Sequence, residues 1–234
     1  MAVHARSMVL MATVCAGLSS SAALGDDYNF RDWIGANGFT NNSGTALWQG
    51  RTGSRTGTLM APSATNWSSP SLSLGTPLIG PLTIPGSDNG AAGPATFNGT
   101  WVHPGSGVPA YLVFSPQSAL LVGGMTIQSE LILNGLSGNG VRISVEAYIG
   151  GVTTSLGTIT LTGTNDRTDV FALPVPVIMQ PGDSLSMVVD DNGSYLFDHV
   201  NFNAVVTVPG PGTGLAMLTA VVGMGLGRRR RVAG

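Results

Sequence analysis

The sequence contains no lysine; all ten of its basic residues are arginine. That absence removes the phosphate-gripping lysine of a Walker A loop, any Schiff-base amine and any pyridoxal phosphate anchor. Cysteine is nearly absent as well, the one residue being Cys15. A body without cysteine holds no disulfide, no thiolate zinc site and no cysteine nucleophile. Charge is scarce, at 9% of 234 residues, against roughly 25% in an ordinary soluble domain. Between residues 26 and 208, five arginines stand against twelve acids, a net of −7. Such a surface repels a phosphate backbone, so no nucleic-acid partner is expected, while divalent cations would be attracted.

Helical periodicity is also missing between the two ends of the chain. What is present is glycine (34 residues) and short strand patterns between turns. Residues 28 to 92 read as short strands and long loops, with apolar islands at Ala46–Gly50 and Thr65–Trp67. From Ala95 the pattern sharpens. Ala95–Val102 and Tyr111–Ser115 read as strands, and Ala119–Leu133 as a long one bent at Gly123-Gly124. In Val141–Ile149 the apolar residues Val141, Ile143, Val145, Ala147 and Ile149 alternate with polar or amphipathic ones, the period of a strand with one buried face. Gly150-Gly151 turns it into Ser155–Leu161, and Asp169–Val177 follows. Pro181-Gly182-Asp183 leads into Ser184–Asp190, where Leu185, Met187 and Val189 share a face. Asp191-Asn192-Gly193 carries the residues of a hairpin turn. The last strand places Val200, Phe202, Ala204 and Val206 on one side. Many short strands with no helices between them predict an all-β, jelly-roll-like two-sheet β-sandwich over residues 26–208.

The ends differ from the middle. Residues 1–25 have Arg6, an apolar run from Met8 to Leu18, and Ala23 and Gly25 at the −3 and −1 positions. This predicts a signal peptide cut after Gly25, with Cys15 inside its apolar core. Residues 209–234 begin with Pro209, Gly210, Pro211 and Gly212, which break helix, and Thr213 is suited to cap one. Leu215–Leu226 is uncharged, and Arg228, Arg229, Arg230 and Arg231 follow. A helix from Thr213 to Gly227 would run roughly 22 Å, short against a hydrocarbon core of about 30 Å. The arginines would hold its end in the cytoplasm and leave the domain outside. A marginal transmembrane helix behind a Pro-Gly break fits a processing signal.

This tail resembles the PEP-CTERM sorting signal of bacterial surface proteins: a V-P-x-P motif, an apolar helix and an arginine cluster. Val208-Pro209-Gly210-Pro211 matches the motif, with Gly210 where the commonest form has Glu. The resemblance implies an exosortase-type peptidase as partner, cleavage near Pro209–Thr213 after transient inner-membrane anchoring, and a role around exopolysaccharide. Gly210-Pro211-Gly212-Thr213-Gly214 also resembles a sortase box lacking its leucine. The middle resembles the jelly-roll ectodomain of planctomycete-type PEP-CTERM proteins. The matching pieces are Asn42-Ser43-Gly44 before Leu47-Trp48-Gln49-Gly50, Trp101-Val102-His103-Pro104-Gly105, Pro181–Leu185, and Gly193-Ser194-Tyr195 before Asp198. That family implies a two-sheet sandwich and no particular activity.

Candidate chemistry is sparse. Asp198-His199 and His103 offer histidines, yet no G-x-S-x-G elbow accompanies them. Asp190, Asp191 and Asp198 flank one turn and are the candidate calcium ligands, oxygen donors of the kind calcium takes six to eight of. Turn chemistry and surface charge are the plainer account of them. Glu130 and Glu146 are a conceivable glycosidase pair, and a solvated strand face is the expectation for both. Trp33, Trp48, Trp67 and Trp101 are expected in the core, with sugar stacking as the alternative. Asn41, Asn66, Asn98 and Asn192 begin N-x-S/T sequons. The sequence thus predicts an exported, non-enzymatic surface or matrix protein. A carbohydrate-binding module, calcium-dependent or not, is the alternative, and a secreted hydrolase comes third.

Overall fold

The structure is a computed structural model that describes residues 27–69, 77–81, 100–133, 139–162, 166–193 and 198–209. The expected signal peptide through Gly25, the Gly210 to Thr213 part of the expected sorting motif, and Arg228 to Arg231 lie outside the described residues. So does Leu215–Leu226. Among the described residues, no helix is long and apolar enough to cross a membrane.

In chain order the elements are β1 (Tyr28–Asn29), α1 (Phe30–Asn37), β2 (Trp48–Thr52), β3 (Ala61–Pro62), β4 (Trp67–Ser68), β5 (Leu78–Pro81), β6 (Thr100–His103) and β7 (Ala110–Phe114). Then come β8 (Leu120–Leu133), β9 (Val141–Ile149), β10 (Val152–Leu161), β11 (Asp166–Met179), β12 (Ser184–Asp190) and β13 (Asp198–Thr207). They form two sheets. One has eight strands in the order β11-β8-β13-β6-β5-β4-β3, with β1 added beside β13. The other has five, β10-β9-β12-β7-β2. Strands β6 to β13 split into β6-β13-β8-β11 and β7-β12-β9-β10, the double Greek key connectivity of a jelly roll.

The alternation in the sequence sets the core. Val141, Ile143 and Val145 of β9, Leu185, Met187 and Val189 of β12, and Val200, Phe202, Ala204 and Val206 of β13 are all fully buried. Two-residue periodicity puts each set on one side of its pleat, and the two sets of inner faces meet. Gly150 (φ 58°) and Gly151 (φ 87°) make the tight β9–β10 hairpin, where Val152 pairs with Ile149. Positive φ at both central positions is what such a turn demands.

Two expectations change. Residues 30–37, read as strand and loop, form helix α1. The Asn29 side chain accepts from the Arg31 and Asp32 amides at 2.9 and 3.3 Å, capping the helix start. Gly38 (φ 69°) ends it, its amide bonded to the Ile34 carbonyl at 2.7 Å. Eight residues give barely two turns, too few for a helical period to register. The helix buries Phe30 against Trp48, Trp67 and Phe202, with ring centroids 5.4 to 5.8 Å apart. The second change is at Asp191-Asn192-Gly193. Asn192 (φ 47°) and Gly193 (φ 101°) have hairpin geometry, but the strands on either side enter different sheets. The turn is a crossover from one sheet to the other.

Candidate functional site

Each sheet turns one face outward, and the two faces differ. On the eight-stranded sheet, cross-strand register lines up Glu130, Asn201 and Trp101, with Gly80 beside them. Trp101 lies over Gly80, where a Cβ would stand 2.9 Å from the indole Nε1. The Asn201 amide donates to Glu130 Oε2 at 3.4 Å. His199, on the outward phase as expected, packs its ring 4.8 Å from His103 and 5.4 Å from Trp101, centroid to centroid. Asn201, Glu130 and His199 are buried, and Trp101 is half-buried.

That burial corrects the expectation for Glu130, which is 5% exposed on a strand face read as solvated. Glu146 lies on β9, in the other sheet. The two carboxylates therefore sit on opposite outer faces with the sandwich between them, and no sugar bond can lie between both.

The five-stranded sheet builds a different face. Register places Gln49, Val113, Ser186, Glu146 and Ser155 in one row, and Arg51, Tyr111, Val188, Ser144 and Thr158 in the next. Tyr148 stands beside Ser184, and Arg142 beside Asp190. The cross-strand contact of Ser144 Oγ with Thr158 Oγ1, at 3.0 Å, lies on this face. Gln49 is buried and fully bonded: its amide nitrogen donates to the Gly44 and Ala46 carbonyls. Its oxygen accepts from Arg51 Nε and Nη2 at 3.0 and 2.8 Å. Arg51 Nη1 then holds the Gly57 carbonyl at 2.7 Å, which folds the loop after β2 over the sheet. From that loop Arg55 places its guanidinium carbon 3.6 Å from the centre of the Tyr148 ring. Because β7 and β12 lie between β2 and β9, the contact of Arg55 with Tyr148 spans the outer side of both strands.

On the same face Ser184 and Ser186 are 2% and 0% exposed, and their hydroxyls have no hydrogen-bond partner. A buried unmet hydroxyl costs about 1–3 kcal/mol; Ser129 Oγ and Trp48 Nε1 are unmet as well, but Ser184 and Ser186 occupy adjacent outward positions of one strand. Burial, then the Glu146 and Asp190 charges, pushes the Tyr111 phenol above its usual range. It remains a neutral hydrogen-bonding group across physiological pH. Burial, then the Arg55 charge, holds Arg51 below its ordinary value.

Asp190 pairs with Arg142 across the strands, and its other oxygen accepts from the Asp191 amide at 2.9 Å. Asp191 accepts from Gly107 and Gly193 amides at 2.8 and 3.1 Å, tying the β6–β7 turn to the end of β12. Both carboxylates thus have protein partners, and the Asp198 side chain lies outside the described residues. Among the described residues, no group of three histidine, cysteine or acidic side chains could hold a metal. Trp48 and Trp67 are in the core as expected, while Trp33 and Trp101 are half-buried. Sequence reasoning missed Tyr111, Tyr148, Arg51, Arg55, Ser184 and Ser186. The signal available was the polar phase of β9 and β12, whose apolar phase was read correctly.

No family model matches this chain, and no curated protein does. Solved structures with some similarity include a family 29 carbohydrate-binding module, 11% identical, covering 70% of this chain and 94% of its own, with a TM-score of 0.37. A xylan-binding module is 9% identical, covers 80% of this chain and 99% of its own, and has a TM-score of 0.36. A family 32 module of C. perfringens NanJ, solved with galactose, is 13% identical over 69% of this chain and 95% of its own, with a TM-score of 0.32. Similarity at this level leaves architecture and site to be read from this chain's own strands.

Proposed function

We propose that this chain is an exported surface protein whose β-sandwich binds polysaccharide on the outer face of its five-stranded sheet. One observation carries the binding reading. Two tyrosines, Tyr111 and Tyr148, share a sheet face with two buried serine hydroxyls that have no partner. A sugar ring offers an apolar C–H face to an aromatic ring, and hydroxyls that both donate and accept. It would meet both needs of this face at once. The separation of Glu130 and Glu146 on opposite outer faces supports a binder over a hydrolase.

The two ends of the sequence support export and processing by an exosortase-type peptidase. In the fold, β1 pairs antiparallel with β13, and Asp27 accepts from the Val208 amide at 2.9 Å. The two ends of the described sandwich, at Asp27 and Val208, therefore lie side by side.

Affinity electrophoresis of the full chain through gels containing soluble polysaccharides tests the binding reading. Retardation by a polysaccharide, lost in Tyr148→Ala with the unfolding midpoint unchanged, is the expected result. Equal retardation of the variant would remove this face as the site.

A further inference from the structure

We infer that the polysaccharide taken by the five-stranded sheet is anionic, its acid groups meeting Arg55 and Arg142 while its ring displaces Arg55 from Tyr148. This rests on the binding reading above and adds the charge of the ligand to it. The distribution of arginine is the starting point. Residues 26–208 hold five arginines against twelve acids, and three of the five, Arg51, Arg55 and Arg142, gather on this one face. Among the described residues the acids there are Glu146 and Asp190, so these side chains carry a net +1 in a domain of −7.

The arginines are not arranged to neutralise acids of the fold. Arg51 spends its donors on the Gln49 oxygen and the Gly57 carbonyl, both uncharged. Arg55 rests on the Tyr148 ring. Arg142 alone has a carboxylate partner, Asp190, and its side chain remains 50% exposed. Arg55 is close enough to Arg51 that, after burial, its guanidinium disfavours the Arg51 charge. An anion on this face relieves that repulsion and gains charge-assisted hydrogen bonds of fork geometry.

The position of Arg55 couples charge to stacking. It lies over the ring that a sugar would use, in a contact that spans the strand bearing Ser184 and Ser186. A neutral ligand must break the cation–π contact with no replacement for Arg55. An acidic sugar offers Arg55 a carboxylate or sulfate in exchange, and so uncovers Tyr148 and the serine hydroxyls. Selection against neutral polymers follows from that difference.

The test is affinity electrophoresis of the full chain in alginate, dextran sulfate and neutral xylan, at low and high salt. Retardation by alginate, by dextran sulfate or by both, fading as salt rises, and no retardation by xylan, is the expected result. Alginate alone would name the carboxylate, and dextran sulfate alone the sulfate. Arg55→Ala should weaken binding about tenfold, the loss of one charge-assisted contact, and Glu146→Gln should tighten it. Xylan bound as well as alginate, with Tyr148→Ala abolishing both, would overturn the anionic preference and leave the binding reading standing. The same holds if Arg55→Ala binds xylan more tightly and alginate unchanged. No retardation in any gel, or retardation that Tyr148→Ala and Arg55→Ala leave intact, would overturn both.

Discussion

Gly50 shows how little room the core leaves around a single residue. A Cβ there would stand 2.6 Å from the Trp67 ring and 3.2 Å from the Met60 sulfur. Trp67 is fully buried and donates its indole N–H to the Phe39 carbonyl at 2.8 Å, so it has nowhere to retreat. Gly50→Ala should therefore cost about 1–3 kcal/mol in urea unfolding. Trp67→Ala, which opens a cavity and leaves a carbonyl unmet, should cost about 3–5 kcal/mol. Tyr111 responds to pH. Its phenol titrates higher in the folded chain than in the unfolded one, so the unfolded state loses its proton first as pH rises. The stability from this group is complete below about pH 10 and is lost as pH climbs through the folded value. Alkaline unfolding midpoints should show that loss in the native chain, and Tyr111→Phe should remove its share.

Helix α1 is the element that depends most on one side chain. Its Asn29 cap meets two amides, and nothing in an eight-residue helix offers much intrinsic stability. Asn29→Ala should cost about 1 kcal/mol, read as a lower denaturation midpoint with the slope unchanged. The strands β9, β12 and β13 were legible in the sequence because their period is strict and local. The helix was not, since Phe30, Trp33 and Ile34 make a single apolar contact patch with no repeat. The proposed binding face was half legible. Every residue inward on β9 and β12 was identified, which leaves Ser184, Ser186 and Tyr148 outward by subtraction. That Arg55, far away in sequence, would arrive over Tyr148 could not be read from either strand.

At the scale of the whole molecule, the sandwich closes on its own ends. Val208 is 6% exposed and bonded to Asp27, and a Cβ on Gly123 would sit 3.4 Å from the Pro209 ring. Val208 and Pro209, the first two residues of the proposed sorting motif, are thus packed against the fold. A peptidase acting on the folded protein should cut beyond Pro209, and intact mass spectrometry of the mature protein should find Val208-Pro209 retained. Calcium makes a separate prediction. With Asp190 and Asp191 already engaged by Arg142 and by backbone amides, neither EDTA nor added calcium should move the melting temperature. A rise with calcium would mean that the metal binds the native state.

The sequence by itself determined the class of fold, the inward residues of the long strands and the turns at Gly150-Gly151 and Pro181–Asp183. Those follow from the pleat and from positive-φ turns, which are properties of neighbouring residues. Tertiary structure alone decided which sheet each strand joins. It turned Asn192-Gly193 into a crossover, put Glu130 and Glu146 on opposite outer faces, and carried Arg55 across two strands to Tyr148. The physical reason is that strand pairing joins residues distant in the chain. A side chain's outward phase is set locally, but its neighbours there come from other strands.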